Sequence, residues 1–226
     1  DGRMRANRQM SDFDAARRAM VDTQVRPADV TRYGIIEAMM WAPRERFVPA
    51  AARDIAYAEL EVPVAPGRAL LEPRVFAKML EAAQIGLGDL VLDLAPATGY
   101  STVVLARLAV AVVAIEPDEA LARQAQSEIE ALEVLNAALS FGAAEEGDAA
   151  HGPYDVIFVN GAIEALPGTL TEQLKEGGRL VAVFQEGPVG RVKLVTRTSS
   201  GLSERWVFDA TAPLLDGFAR ARAFEF

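Results

Sequence analysis

The 226-residue chain is 51% hydrophobic and 24% charged, with a net charge of −9, one histidine and no cysteine, a composition and length that suit one sizeable α/β domain. The missing cysteines exclude disulfides and thiolate metal sites, and a lone His151 in a polar loop argues against a histidine metal centre or a serine–histidine triad, so no metal is expected. The negative charge speaks against a broad nucleic-acid-binding face and no apolar run nears the roughly 18–20 residues that span a membrane, so a cytoplasmic protein engaging neither nucleic acid nor membrane is expected, its oligomeric state open.

Asp1 to Gln9 are basic, lack an apolar core and precede Met10, so they read as a leader or tag, and 10–226 as a single domain. A helix is expected from Ser11, capped by Ser11 or Asp12, with Phe13, Ala16 and Met20 on one face and its end before Arg26-Pro27. A second runs from about Val30 to Trp41, with Ile35, Ile36, Met39 and Met40 as its apolar stripe and Pro43 just beyond it. Arg74–Gln84 follows, with Val75, Phe76, Met79, Leu80 and Ala83 at helical spacing.

Leu90 to Glu116 organises the rest of the chain. Leu90–Leu94 and Val112–Glu116 are short apolar runs flanking a segment with Val104, Leu105 and Leu108 at helical spacing, which predicts a parallel βαβ unit buried on both faces. Each strand ends near an acidic residue, and Glu116 stands 23 positions after Asp93, close to the roughly 20-residue offset of ribose-binding βαβ units. Pro117-Asp118 opens another helix, with Leu121, Ala125, Ile129 and Leu132 inward. Strands are expected at Ala138–Gly142, Asp155–Val159 and Leu180–Phe184, then an antiparallel pair, Val192–Thr196 and Trp206–Asp209. Leu170 and Leu174 mark a helix before the fifth strand, and Glu186–Gly190 is a loop, since no Gly-Lys-Ser/Thr follows it.

Asp93-Leu94-Ala95-Pro96-Ala97-Thr98-Gly99 resembles the first motif of class I S-adenosylmethionine-dependent methyltransferases, (Asp/Glu)-x-Gly-x-Gly-x-Gly. Asp93 and Gly99 keep their places, and Ala95 and Ala97 stand at the two earlier glycines. Alanine there costs about 1–2 kcal/mol if the backbone is left-handed, or pushes a methyl toward the ligand. The resemblance narrows elsewhere. Val21–Pro27, Pro43–Pro49 with Ala56-Tyr57-Ala58-Glu59, Ile85–Asp89, Gly152–Val159 and Leu174–Val181 are together similar, in order and spacing, to the protein-L-isoaspartate O-methyltransferases.

That resemblance implies a doubly wound, mostly parallel seven-stranded sheet of Rossmann-like class I methyltransferase type. Residues 10–84 would be an N-terminal helical region and 85–226 the cofactor-binding core with a C-terminal antiparallel hairpin. It implies S-adenosylmethionine as cofactor, S-adenosylhomocysteine as product, and a protein or peptide substrate methylated on a side-chain carboxylate. Cofactor contacts fall to Asp93, Leu94, Ala95, Ala97, Thr98, Gly99, Tyr100, Glu116, Pro117, Ala143 and Asn160. Family members typically carry Gly-x-Thr-Ile-Ser-x-Pro where this chain has Gly67-Arg68-Ala69-Leu70-Leu71-Glu72-Pro73, so Ala69 and Leu71 replace both hydroxyls that meet the acceptor. Arg68, Glu72 and Arg74 offer other polar groups, each reading first as solvated surface. Gly142-Ala143-Ala144 likewise lacks the family's adenine-contacting aspartate, unless Glu145 or Glu146 reaches back. No catalytic residue follows beyond acceptor-loop positions Ala69, Leu71 and Glu72 and the candidate crevice liner Asn160. Two alternatives stay open: a degenerate member serving as a binding or scaffold module, and a methyltransferase with a different acceptor.

Overall fold

The computed structural model describes residues 12–220; the expected leader and the Ser11 cap lie outside them. Helix α1 (12–20) packs Phe13, Ala16 and Met20 against the core, then runs through a π turn at Val21–Val25 and a 3-10 turn at Arg26–Ala28. Pro27 supplies no N–H and Asp29 turns left-handed at φ 61°, which ends the run. Helix α2 is Tyr33–Trp41, starting later than its apolar spacing suggests. Arg32 is extended there, its guanidinium donating to the Ile85 carbonyl at 2.5 Å, which holds the chain out of the helix.

Within the region expected to be helical lies a hairpin, β1 (Val62–Ala65) and β2 (Arg68–Leu70), turning at Gly67 with φ 69°. Its strands are too short for alternation to register as a pattern. Helix α3 (Pro73–Ala83) opens on a proline, which suits its first turn, and buries Val75, Phe76, Met79, Leu80 and Ala83 as their spacing predicts.

The main sheet has seven strands: β3 (Leu90–Leu94), β4 (Ala111–Glu116), β5 (Ala137–Phe141), β6 (Tyr154–Ile163), β7 (Leu174–Gln185), β8 (Gly190–Thr198) and β9 (Gly201–Asp209). Their spatial order is β5-β4-β3-β6-β7-β8-β9, the first five mutually parallel and β8 antiparallel to both neighbours. This is the doubly wound, mostly parallel sheet that the resemblance implies. Alternate residues of the central strands enter two cores, Val91, Val112, Val156 and Val181 on one face and Leu92, Leu94, Ile157 and Leu180 on the other. Burial on both faces explains why these strands read as nearly unbroken apolar runs.

Helices α4 (Tyr100–Ala106) and α5 (Glu119–Ala131) connect β3 to β4 and β4 to β5; α6 (Gly168–Glu172) precedes β7. The Asp118 carboxylate caps α5, accepting from the Ala120 and Leu121 N–H groups at 2.8 and 3.0 Å. Two expectations change. The helix of the βαβ unit stops at Ala106, and Leu174 begins β7 instead of extending α6, because it pairs with Tyr154 in the parallel ladder. Past β9 the chain returns to the sheet, with the Ala162 N–H donating to the Pro213 carbonyl and the Leu215 N–H to the Ala162 carbonyl.

Candidate active site

From β3 the chain moves outward through β4 to β5, then returns to lay β6 on the other side of β3. The loops leaving β3 and β6 therefore diverge, which opens a crevice at the carboxyl ends of the strands. Asp93 lies level with Ala114 and Phe158 in the ladder, while Glu116 projects one step beyond the Leu94–Ile115 pair. Adjacent strands thus deliver both acidic residues to one rim.

Asp93 is fully buried and spends its carboxylate on the protein itself. Oδ2 accepts from the Ser101 and Thr102 hydroxyls at 2.8 and 2.7 Å, and Oδ1 from the Asn160 amide at 2.6 Å. Burial pushes its pKa up to about 7, although the bonds from Thr102, Ser101 and Asn160 act the other way. Asn160 gives its other N–H to the Leu94 carbonyl at 3.0 Å. Both of its donors are thereby used, and what remains is a carbonyl oxygen, which suits a carboxylate acceptor poorly.

Above Asp93 the loop turns left-handed three times, at Ala95 (φ 55°), Ala97 (φ 56°) and Gly99 (φ 96°). The alanines keep the backbone that glycine would adopt at no steric cost. Neighbours enforce this shape: the Ala95 N–H donates to the Ile115 carbonyl at 2.9 Å, the Ala97 N–H to Glu116 at 2.7 Å, and the Thr98 hydroxyl to the Phe47 carbonyl at 2.5 Å. Gly99 is required for a second reason, since a Cβ there would lie 3.0 Å from the Ala125 side chain. Thr98 and Tyr100 consequently face the N-terminal segment. The Tyr100 ring packs on Phe47, on Phe76 and beneath the Arg44 guanidinium.

Glu116 is fully buried and makes four hydrogen bonds. Besides the Ala97 N–H it accepts from the Asp118 N–H at 2.9 Å and from both terminal nitrogens of Arg68, at 2.6 and 2.8 Å. Arg68 also donates to the Ala95 carbonyl at 3.1 Å. The arginine read as solvated surface is thus largely covered, its side chain 14% exposed. Sequence spacing carries no signal for a pair 48 positions apart on separate elements.

Two spaces open beside these groups. One, about 260 Å³, is bordered by Arg68, Ala95, Pro117, Ala144, Asp118 and the returning tail at Leu214–Asp216. The other is a chamber of about 10 Å³, room for one water, between Ala69, Leu71, Pro96, Tyr100, Asn160 and Arg44. Arg44 is fully buried and bonded to the carbonyls of Ala56 and Leu71 at 2.7 and 2.8 Å. Its remaining terminal nitrogen and the Tyr100 hydroxyl have no partner among the described residues. Burial lowers the Arg44 pKa and raises that of Tyr100. Glu72 starts α3 without capping it, Ala143 accepts from the Glu146 N–H, and the Glu145 carboxylate packs against Gly217. A roomier cavity of about 570 Å³, between Gly152, Lys175 and Arg197, lies at the opposite, amino-terminal end of the strands, away from these groups.

The family model for protein-L-isoaspartate(D-aspartate) O-methyltransferase matches residues 16–208. A protein-L-isoaspartate O-methyltransferase from Koribacter versatilis is 36% identical over 97% of this chain and 100% of its own length. One from Gloeobacter violaceus is 34% identical over 84% of this chain and 93% of its own. Among solved structures, one protein-L-isoaspartate O-methyltransferase superposes with a TM-score of 0.79 at 23% identity, covering 89% of this chain and 66% of that one. A putative one from Plasmodium falciparum, in complex with S-adenosyl-L-homocysteine, gives 0.76 at 17% identity over 90% and 98%. The sequence relatives span essentially the whole fold just described, and this chain belongs to the protein-L-isoaspartate O-methyltransferase family.

Proposed function

We propose that this protein transfers the methyl group of S-adenosylmethionine to the side-chain carboxylate of an isoaspartyl residue in a damaged protein or peptide. The observation that carries this reading is the thrice left-handed loop from Ala95 to Gly99, held over Asp93 at the crevice rim with Glu116 beside it. Bound there, the cofactor supplies an electrophilic methyl group. Glu116 would hold the ribose hydroxyls, the backbone from Ala95 to Tyr100 the methionine end, and Pro117 and Ala144 the base, Ala144 and not the expected Ala143 bordering the space. The loop fits this group as it stands; Glu116 fits it once Arg68 is withdrawn. The space of about 260 Å³ is likewise somewhat below the roughly 300–1,000 Å³ of small-molecule sites.

The residues have little acid–base work to do, because the acceptor carboxylate is already ionised near neutral pH. Positioning and exclusion of water do most of it. Asn160 orients Asp93, and Asp93 ties the start of α4 to β3. Leu71 and Ala69 border the chamber where family members present hydroxyls, so the acceptor meets an apolar wall there. On this reading residues 10–226 act as one domain in the cytoplasm on protein or peptide substrates, without nucleic acid or membrane. The net charge of −9 supports the former absence, and no described helix is long and apolar enough to cross a membrane.

The test is methyl transfer from labelled S-adenosylmethionine to an isoaspartyl peptide and to its aspartyl counterpart, beside calorimetric titration with S-adenosylhomocysteine. Transfer confined to the isoaspartyl peptide is expected, and a large gain in the Ala69→Thr, Leu71→Ser double variant. Binding without transfer to either peptide, even by that variant, would point to a different acceptor.

A further inference from the structure

We propose that the β1–β2 hairpin is a latch on the nucleoside end of the cofactor cleft, with Arg68 occupying the hydrogen-bonding positions of Glu116 that a ribose diol takes. The proposal rests on the S-adenosylmethionine reading above. A carboxylate offers about four lone-pair positions. Glu116 has all four in use, two of them by the guanidinium of Arg68, at 2.6 and 2.8 Å. The two backbone donors, Ala97 and Asp118, belong to the loop and the helix cap that shape the cleft. Only Arg68 comes from an element that does not adjoin β3 or β4 in the chain.

The element bearing it is separate from the main sheet. The hairpin pairs only with itself, over three registered pairs with an irregularity between Pro63 and Ala65, and it stands apart from the seven-stranded sheet. A two-stranded ribbon of this size has little stability of its own. Val62 and Leu70 anchor its base in the core while Gly67 and Arg68 form the tip, so a swing of the tip leaves the base packed. Asp118 and Asp216 border the same cavity as Arg68, so an open tip would meet carboxylates there. On this proposal the hairpin has two positions, one closed over Glu116 and one open toward those aspartates. A ligand that needs Glu116 selects the second, and its apparent affinity is reduced by the fraction of molecules that stay latched.

The experiment is calorimetric titration of S-adenosylhomocysteine into the parent, Arg68→Gln, Arg68→Lys and, as a control on exposed α3 surface, Arg74→Gln. It is paired with hydrogen exchange of the amides of Val62, Val64, Ala65 and Gly67 to Leu70 in the parent with and without ligand. The latch predicts at least tenfold tighter binding by Arg68→Gln, an intermediate gain for Arg68→Lys, whose single ammonium does not form the paired bonds, and none for Arg74→Gln. In the parent, the ligand should speed exchange in the hairpin while slowing it around Ala97 to Ser101. Equal or weaker binding by Arg68→Gln, or hairpin amides that become better protected on binding, would overturn the latch and leave the cofactor reading standing. No binding by any of the four proteins at millimolar ligand would overturn both.

Discussion

Residues 95–99 and residues 67–71 face each other across the same cleft, and each departs from the family pattern at two positions. In the first segment alanine replaces glycine, yet the backbone stays left-handed at Ala95 and Ala97 because Ile115, Glu116 and Phe47 hold its N–H groups and the Thr98 hydroxyl. In the second, Ala69 and Leu71 stand where the resemblance implies hydroxyls, and they present apolar groups to the chamber. Backbone geometry is over-determined by its neighbours and survives substitution at a cost in strain. Side-chain chemistry has no such guard. One half of the cleft thus holds a glycine-like shape with alanine, and the other presents an apolar wall.

The sharpest way to break this contrast is at Glu116, the residue both halves share. Glu116→Ala removes the acceptor of the Ala97 and Asp118 N–H groups and leaves Arg68, in its closed position, only the Ala95 carbonyl, and should destabilise by about 3–5 kcal/mol, read from urea unfolding. Arg68→Gln should cost clearly less, because the carboxylate keeps Ala97 and Asp118 as donors. Equal costs would show that the loop does not depend on Glu116 for its shape.

Asp93 offers the next largest effect. Its folded-state pKa of about 7 lies above the ordinary value near 4 of an unfolded chain. Between those values the folded state binds the extra proton, so stability falls as pH rises through the window, by up to about 1.4 kcal/mol per pH unit from this group. Asp93→Asn should flatten the slope between pH 4 and 7 relative to the parent; an unchanged slope would place the titration elsewhere.

The smallest effects test the strain itself. Glycine at Ala95 or Ala97 relieves about 1–2 kcal/mol of left-handed cost and gives back about 0.4–1 kcal/mol through a freer unfolded chain. A net gain of about 0.5–1 kcal/mol each is expected in thermal or urea unfolding, opposite in sign to what glycine does at an ordinary position. A loss at either would mean the loop relaxes around alanine.

Much of the architecture was legible without coordinates. The apolar runs of β3, β4, β6 and β7 and the helical spacing of α3 and α5 are local signals, because burial on both faces of a parallel sheet, or along one face of a helix, writes itself into consecutive residues. The Asp93 to Glu116 offset belongs with them, since it follows from the length of one βαβ unit. Leu174 shows where such signals end, as its place in β7 depends on pairing with Tyr154 twenty positions earlier. Only the tertiary structure decided that Ala95 and Ala97 are left-handed, that both N–H groups of Asn160 are spent on Asp93 and Leu94, that Arg44 is buried over Tyr100, and that Arg68 reaches Glu116. Each of these depends on a partner distant in sequence. A charged or polar residue in a short hairpin or a 3-10 turn has the same local pattern whether it points to water or into a cleft, and the choice belongs to whatever the fold has placed opposite.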